Sequence, residues 1–156
     1  MRLRLPIVTA LVVLLLGLAS GWLSGSGAGN AWFDALAKPG FMPPGWAFPV
    51  AWTTLYLMIG TAFGLILETR HPLRSRAILL FVAQLLLNYA WSPVFFALHQ
   101  PLRALAIIVL MVILTALTAL DFHRIRPLAA WLLLPYLAWL IFAATLNGAI
   151  VALNPA

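Results

Sequence analysis

Five stretches free of formal charge occupy almost all of this 156-residue chain: Leu5 to Phe33, Pro39 to Leu67, Ala77 to Leu102, Ala104 to Leu120 and Pro127 to Ala156. A helix needs about 20 apolar residues to cross the hydrocarbon core of a bilayer, within a range of roughly 17–25. Each stretch holds one crossing, and none comfortably holds two. Composition agrees: 65% of residues are hydrophobic and 8% charged, against about a quarter charged in soluble domains. Such a chain cannot cover a water-facing surface, so its solvent is lipid. No alternating strand pattern is present, and in lipid the backbone must be satisfied within closed barrels or helices. The expected fold is therefore an all-α membrane bundle, one transmembrane domain over residues 1–156. Its spans are expected near 6–24, 46–68, 77–98, 102–121 and 128–150. Pro6 and Pro127 suit first-turn positions, and Pro101 precedes a helix start.

The start of the chain, "MRLRLPIVTALVVLLLGLASG", has the basic beginning and apolar centre of a signal peptide. The apolar stretch runs to Leu23, which is long for that role and favours a retained helix. With five crossings, the N-terminus and the 69–76 and 121–127 loops share one side. Arg2, Arg4, Arg70, Arg74, Arg76, Arg124 and Arg126 lie there, against Lys38 and Arg103 opposite. The bias predicts a cytoplasmic N-terminus and an external C-terminus in a multi-pass protein. The net charge of +6 thus reports topology. No basic face follows a phosphate backbone, which argues against a nucleic-acid partner.

The region of about 25–45 is the one long loop. Long loops in compact domains usually carry function or structure of their own. "NAWFDALAKPG" predicts a short helix, with Asn30 as cap and Pro39-Gly40 as stop, placed to act as a lid. The stretch that follows, "KPGFMPPGWAFPVAW", forms a stiff link from lid to second span. Trp46 reads as an interface anchor.

Within the spans, polar residues recur beside aromatic ones at helical spacing. Trp52 and Tyr56 are i and i+4 in the second span. Gln84, Asn88, Trp91 and Ser92 share a face of the third. Tyr136, Trp139, Ala143 and Asn147 share a face of the fifth. All three sets lie toward the outer end, beneath the lid. Together they describe an aromatic-walled pocket with a few polar anchors. Each residue also has a plainer reading, as interfacial aromatic belt or interhelical glue; Trp22 and Trp131 are assigned to belt or packing. Gly17, Gly21, Gly25 and Gly29 form a small-xxx-small register, and Gly60 and Gly64 a GxxxG, serving either packing or a dimer face. Pro93 and Pro135 should bend the third and fifth spans.

Several functions are argued against. No ionisable residue sits at mid-span, which disfavours ion-coupled transport. His71, His99 and His123 fall in loops without paired spacing, so no metal site or haem ligation is expected inside the bundle. There is no cysteine, no Gly-rich phosphate loop and no nucleophile–base pair. Acid–base or covalent enzyme chemistry has no candidate residues. Photochemistry by indoles beside a light-absorbing ligand needs none of them.

"KPGFMPPGWAFPVAWTTLY", "AQLLLNYAWSPVFF" and "PYLAWLIFAATLN" closely resemble, in order and spacing, the signature stretches of the TspO/MBR family. That family comprises tryptophan-rich sensory proteins and translocator proteins, also called peripheral benzodiazepine receptors. The resemblance covers about Gly17 to Asn147. It implies a five-helix bundle, often a homodimer, requiring no cofactor. It also implies a pocket for porphyrins, haem-related tetrapyrroles, sterols such as cholesterol, and benzodiazepine-type ligands. Carried onto matching positions, the pocket comprises Trp32 and Phe33 of the lid, Trp52, Tyr56, Asn88, Trp91, Ser92, Trp139, Ala143 and Asn147. Trp52 and Trp139 match the tryptophans implicated in light-dependent porphyrin breakdown by some relatives. Phe41 and Phe33 depart from the Trp and Tyr common in the family. The pattern L/V-x(1–5)-Y-x(1–5)-K/R for sterols is absent after the fifth span, which favours tetrapyrrole over sterol. The leading expectation is a tetrapyrrole-binding sensor or handling protein; photochemical degradation and transport are the alternatives.

Overall fold

The computed structural model describes residues 4–27 and 29–155. Arg2 of the charge count lies outside them. Five helices are long and apolar enough to cross a membrane. They are α1 (Arg4–Leu23), α3 (Ala47–Leu67), α4 (Arg74–Ser92) with its continuation, α5 (Pro101–Ile125) and α6 (Pro127–Leu153). A short α2 (Ala31–Ala35) lies in the long loop. The all-α five-span architecture expected from the charge-free stretches is what the chain adopts.

α1 packs on α3, α3 on α6, α6 on α5 and α5 on α4. The α1–α3 contact depends on the missing side chains of two glycines. A Cβ on Gly60 would lie 2.5 Å from the Ala10 Cα, and one on Gly64 would lie 2.3 Å from the Pro6 Cα. The Thr9 hydroxyl crosses the same seam to donate to the Gly60 carbonyl at 2.7 Å. The GxxxG is therefore used inside the bundle, where small residues bring backbones together. Gly17 faces the Tyr56 ring, whereas Gly25 and Gly29 lie beyond α1 in a turn at positive φ. The small-residue register of the sequence thus stops being one helix face at Leu23.

Three boundaries differ from expectation. The third span ends its α-helix at Ser92, and Pro93–Ala97 form a π-helical turn. Proline has no N–H for the helical ladder, and the expected bend is realised as this wider turn. The fourth span runs to Ile125, so His123 and Arg124 are the basic last turn of a helix and not loop residues. Cations there complement the helix dipole. The expected 121–127 loop shrinks to Arg126 (φ −155, ψ 99), extended as the residue before a proline tends to be.

The longer α5 places Asp121 inside the structure, only 1% exposed, with Oδ2 3.2 Å from Nε of half-exposed Arg76 on α4. Phe122, next in sequence, stacks on Phe81 with centroids 5.8 Å apart, and Phe81 on Phe63 at 4.3 Å. Phe81 and Phe122 are fully buried with Ile66, Ala77, Ala129 and Leu133. This end of the bundle, the basic end, is a filled core.

Gly64→Leu should lower thermal stability in detergent by at least about 1–3 kcal/mol, since a backbone must move to admit the side chain. Gly148, whose Cβ would meet nothing within 4 Å, supplies the control. Gly148→Ala should be neutral or stabilising by about 0.5–1 kcal/mol. Equal melting temperatures for Gly64→Leu and the parent would contradict the packing.

Candidate ligand chamber and its lid

α3, α4 and α6 bring together the faces that spacing singled out. Trp52 stacks on Tyr56 at 5.2 Å, and its ring meets Trp139 edge-on at 6.3 Å and Tyr136 at 6.4 Å. Trp139 also contacts Phe48 and Phe142 at 6.0 and 5.6 Å. Trp52, Trp91, Trp139 and Ala143 are half-buried and pack against the core.

Beneath these rings runs a chain of hydrogen bonds across the three helices. The Tyr56 hydroxyl donates to Asn88 Oδ1 at 2.8 Å. Asn88 Nδ2 donates to the Tyr136 hydroxyl at 3.0 Å, which donates to Gln84 Oε1 at 2.8 Å. Thr115 on α5 adds a longer bond to the same Gln84 oxygen at 3.4 Å. In hydrocarbon an unpaired buried polar group costs about 1–3 kcal/mol or more. This chain removes that cost and sets the register of the helices. Nearer the lid, Trp91 Nε1 donates to Asn147 Oδ1 at 3.1 Å, and Asn147 Nδ2 donates to the Pro101 carbonyl at 2.8 Å. Tyr56, Asn88 and Asn147 thus spend their polar atoms on one another and on the scaffold.

Two polar atoms do not. Ser92 Oγ and Trp139 Nε1 are buried with no hydrogen-bond partner among the described residues. Serine and threonine in helices commonly bond the carbonyl four residues back. Thr54, Thr61, Thr69 and Thr118 do so here, and Ser92 does not. Gln84 Nε2, at the end of the chain, and Arg74 Nε and both Asp121 carboxylate oxygens, at the basic end, are likewise buried without a hydrogen-bond partner among the described residues.

The lid closes over α4. Asn30 caps α2 as its sequence position suggests, Oδ1 accepting from the Phe33 N–H at 2.9 Å. The helix stops at Ala35, ahead of the expected Pro39-Gly40 stop, with Leu36 extended. Phe33 packs edge-on against Phe95 and Phe96 at 6.0 and 5.3 Å, and Trp32 against Phe95 at 5.6 Å. Trp91 stacks on Phe95 at 5.1 Å, so lid and chamber wall are one aromatic cluster. Asn154, past the end of α6, clamps the loop: Nδ2 donates to the Ala37 carbonyl and Oδ1 accepts from the Ala37 N–H, both at 2.9 Å.

Phe95, Phe96 and Asn154 were not singled out from sequence. Phe95 stands four residues after Trp91, so the spacing rule that found Trp91 extends to it. Asn154 has no local signal, because its partner is 117 residues away.

The model of the TspO/MBR family matches residues 8–153. The chain belongs to the TspO/MBR family. It is similar to the tryptophan-rich protein TspO of Chlorobaculum tepidum, 43% identical over 126 residues and 80% of each chain. A relative of the same name from Archaeoglobus fulgidus is 38% identical over 148 residues and 95% of each chain. The translocator protein of Sus scrofa is 42% identical over 124 residues, 78% of this chain and 73% of its own. Family membership and the five apolar helices make this TspO/MBR member an integral, multi-pass membrane protein.

Proposed function

We propose that this protein binds porphyrin-like tetrapyrroles in the chamber between α3, α4 and α6, as a sensor or in handling of the ligand. The observation that carries the reading is the pair of unpartnered buried atoms, Ser92 Oγ and Trp139 Nε1, beside the rings of Trp52, Trp91 and Trp139. A flat apolar macrocycle offers faces for the indoles and carboxylate or pyrrole edges for the two free polar atoms. Trp32 and Phe33 close over it, and Tyr56, Asn88, Ala143 and Asn147 hold the walls. The polar chain engages Tyr56 and Asn88 as scaffold groups first, so in this reading Ser92 and Trp139 supply the hydrogen bonds to the ligand edges.

Binding is favoured over transport by the filled basic end. The Phe63–Phe81–Phe122 stack and its buried neighbours leave the chamber with a floor. A second reading, light-dependent breakdown of bound porphyrin, draws support from the edge contact between Trp52 and Trp139. Illumination of the complex separates the two: simple binding leaves the Soret band bleaching at the rate of free porphyrin.

Titration with protoporphyrin, followed by quenching of tryptophan fluorescence, tests the chamber. Trp52→Phe with Trp139→Phe should weaken binding about tenfold or more, a loss of at least roughly 1.4 kcal/mol. Unchanged affinity would place the ligand elsewhere.

We also propose that the basic end faces the cytoplasm and the lid faces outward. Arg4, Arg70, Arg74, Arg76, Arg124 and Arg126 lie at the basic end, against Lys38 and Arg103 at the lid end, the asymmetry that sets orientation. A C-terminal reporter active only outside the cytoplasm should give signal; signal from a cytoplasm-only reporter there would reverse the assignment.

A further inference from the structure

The polar chain beneath the chamber has a direction. Tyr56 donates to Asn88 Oδ1 at 2.8 Å, Asn88 Nδ2 to Tyr136 at 3.0 Å, and Tyr136 to Gln84 Oε1 at 2.8 Å. Each link from Tyr56 onward donates away from Trp52, on which Tyr56 stacks, toward Gln84 and Thr115. Both of these side chains are fully buried. The direction has a cost at that far end. The Gln84 amide nitrogen has two hydrogens to give and no hydrogen-bond partner among the described residues. A buried donor left unpaired costs about 1–3 kcal/mol.

Each group in the chain is able to run the other way. A hydroxyl both donates and accepts, and an amide turned through half a rotation exchanges its oxygen and nitrogen. Reversed, Gln84 Nε2 donates to the Tyr136 hydroxyl. Its second hydrogen goes to Thr115 Oγ1, which stands 3.4 Å from the same amide position. Tyr136 then donates to Asn88 Oδ1, and Asn88 Nδ2 to the Tyr56 oxygen. Thr115 is freed to donate to the Met111 carbonyl four residues back, as Thr118 does to Leu114. The same separations serve, both tyrosines keep their protons, and no helix moves. What changes is the group left over. The observed direction leaves the Gln84 amide hydrogens unpaired in the core. The reversed direction leaves the Tyr56 O–H, at the end beside Trp52.

We propose that the chain is a two-state relay: a chamber ligand that presents a hydrogen-bond acceptor to Tyr56 reverses it, and reversal pairs the Gln84 amide. This rests on the chamber being the ligand site. A ligand shifts such an equilibrium only through its differential affinity for the two states. An acceptor supplies that difference, because only the reversed chain offers it a donor at Tyr56. Macrocycles with carboxylate edges qualify, and those with alkyl edges do not. The relay therefore sorts ligands by their edges. It carries the outcome from α3 through α4 and α6 to Thr115 on α5 by rotation of side chains alone.

The chain has two glutamines, Gln84 and Gln100. The full chain in detergent micelles, labelled with nitrogen-15 in its glutamine side chains, therefore gives two amide signals, assigned by Gln100→Ala. Saturation with metal-free protoporphyrin should move the Gln84 amide protons downfield, as hydrogen bonding does. Tyr56→Phe has no hydroxyl for the ligand and should leave them in place at saturation. It should also weaken protoporphyrin binding about threefold or more, while affinity for alkyl-edged octaethylporphyrin stays within about twofold. Gln84→Met should act with the opposite sign. It removes the acceptor that holds Tyr136 in the observed direction, so the chain rests reversed and affinity for protoporphyrin rises about threefold or more. Loss of a purely structural bond would lower affinity in both variants. A Gln84 signal that stays in place in the saturated parent, or moves equally in Tyr56→Phe, overturns the relay, as does weaker protoporphyrin binding by Gln84→Met. Failure of the chamber reading looks different: protoporphyrin affinity would be indifferent to Trp52→Phe with Trp139→Phe, and the relay would fall with it. Normal dependence on those tryptophans with a stationary Gln84 signal sinks the relay alone.

Discussion

Inside a bilayer, hydrogen bonds that the protein does not supply go unmade, and Asn88 meets that constraint for three helices at once. Its amide accepts from Tyr56 on α3 and donates to Tyr136 on α6, and Tyr136 passes the chain on to Gln84. A one-residue rotation of any of these helices would strand two or more polar groups in an apolar medium, where each costs about 1–3 kcal/mol or more. The register so fixed brings Trp52 against Tyr56 and Trp139, and sets Trp91 against Asn147. Aromatic walls follow from polar pairing beneath them.

The two ends of the molecule differ in kind. At the basic end, stacked phenylalanines fill the core, Asp121 is buried against Arg76, and Arg74 Nη2 donates to the Leu67 carbonyl at 2.8 Å to hold the α3–α4 turn. At the lid end, the π-helical turn after Pro93 turns Phe95 and Phe96 toward α2, and Asn154 ties the loop down. One end is built as a core, and the other is assembled from loop segments around aromatic rings.

Spans, lid helix and the three aromatic faces were legible in the sequence because each rests on local rules: length against bilayer thickness, capping, and i, i+4 spacing. What spacing could not reveal was which polar groups would satisfy each other. Asn88 looked like a ligand anchor and is first a scaffold group; Ser92 looked equivalent to it and is left unpaired. Asp121 stood at the expected end of the fourth span. It lies within α5 instead, buried beside Arg76 on α4. Asn154 and Ala37 are joined by geometry that no local pattern records. The GxxxG of α3 was ambiguous between packing and dimer contact until Pro6 and Ala10 of α1 were found against it.

A ligand held in the chamber would be surrounded by Trp52, Trp91 and Trp139. The chain has seven tryptophans, and Trp46 and Trp131 are 70% and 63% exposed. Fluorine NMR of protein carrying 5-fluorotryptophan, assigned by single Trp→Phe variants, reports on all of them at once. Addition of metal-free protoporphyrin should shift the signals of Trp52, Trp91 and Trp139 together, with one common saturation curve, and leave Trp46 and Trp131 in place. Shifts confined to the exposed tryptophans, with the three chamber signals unmoved at saturation, would contradict the account.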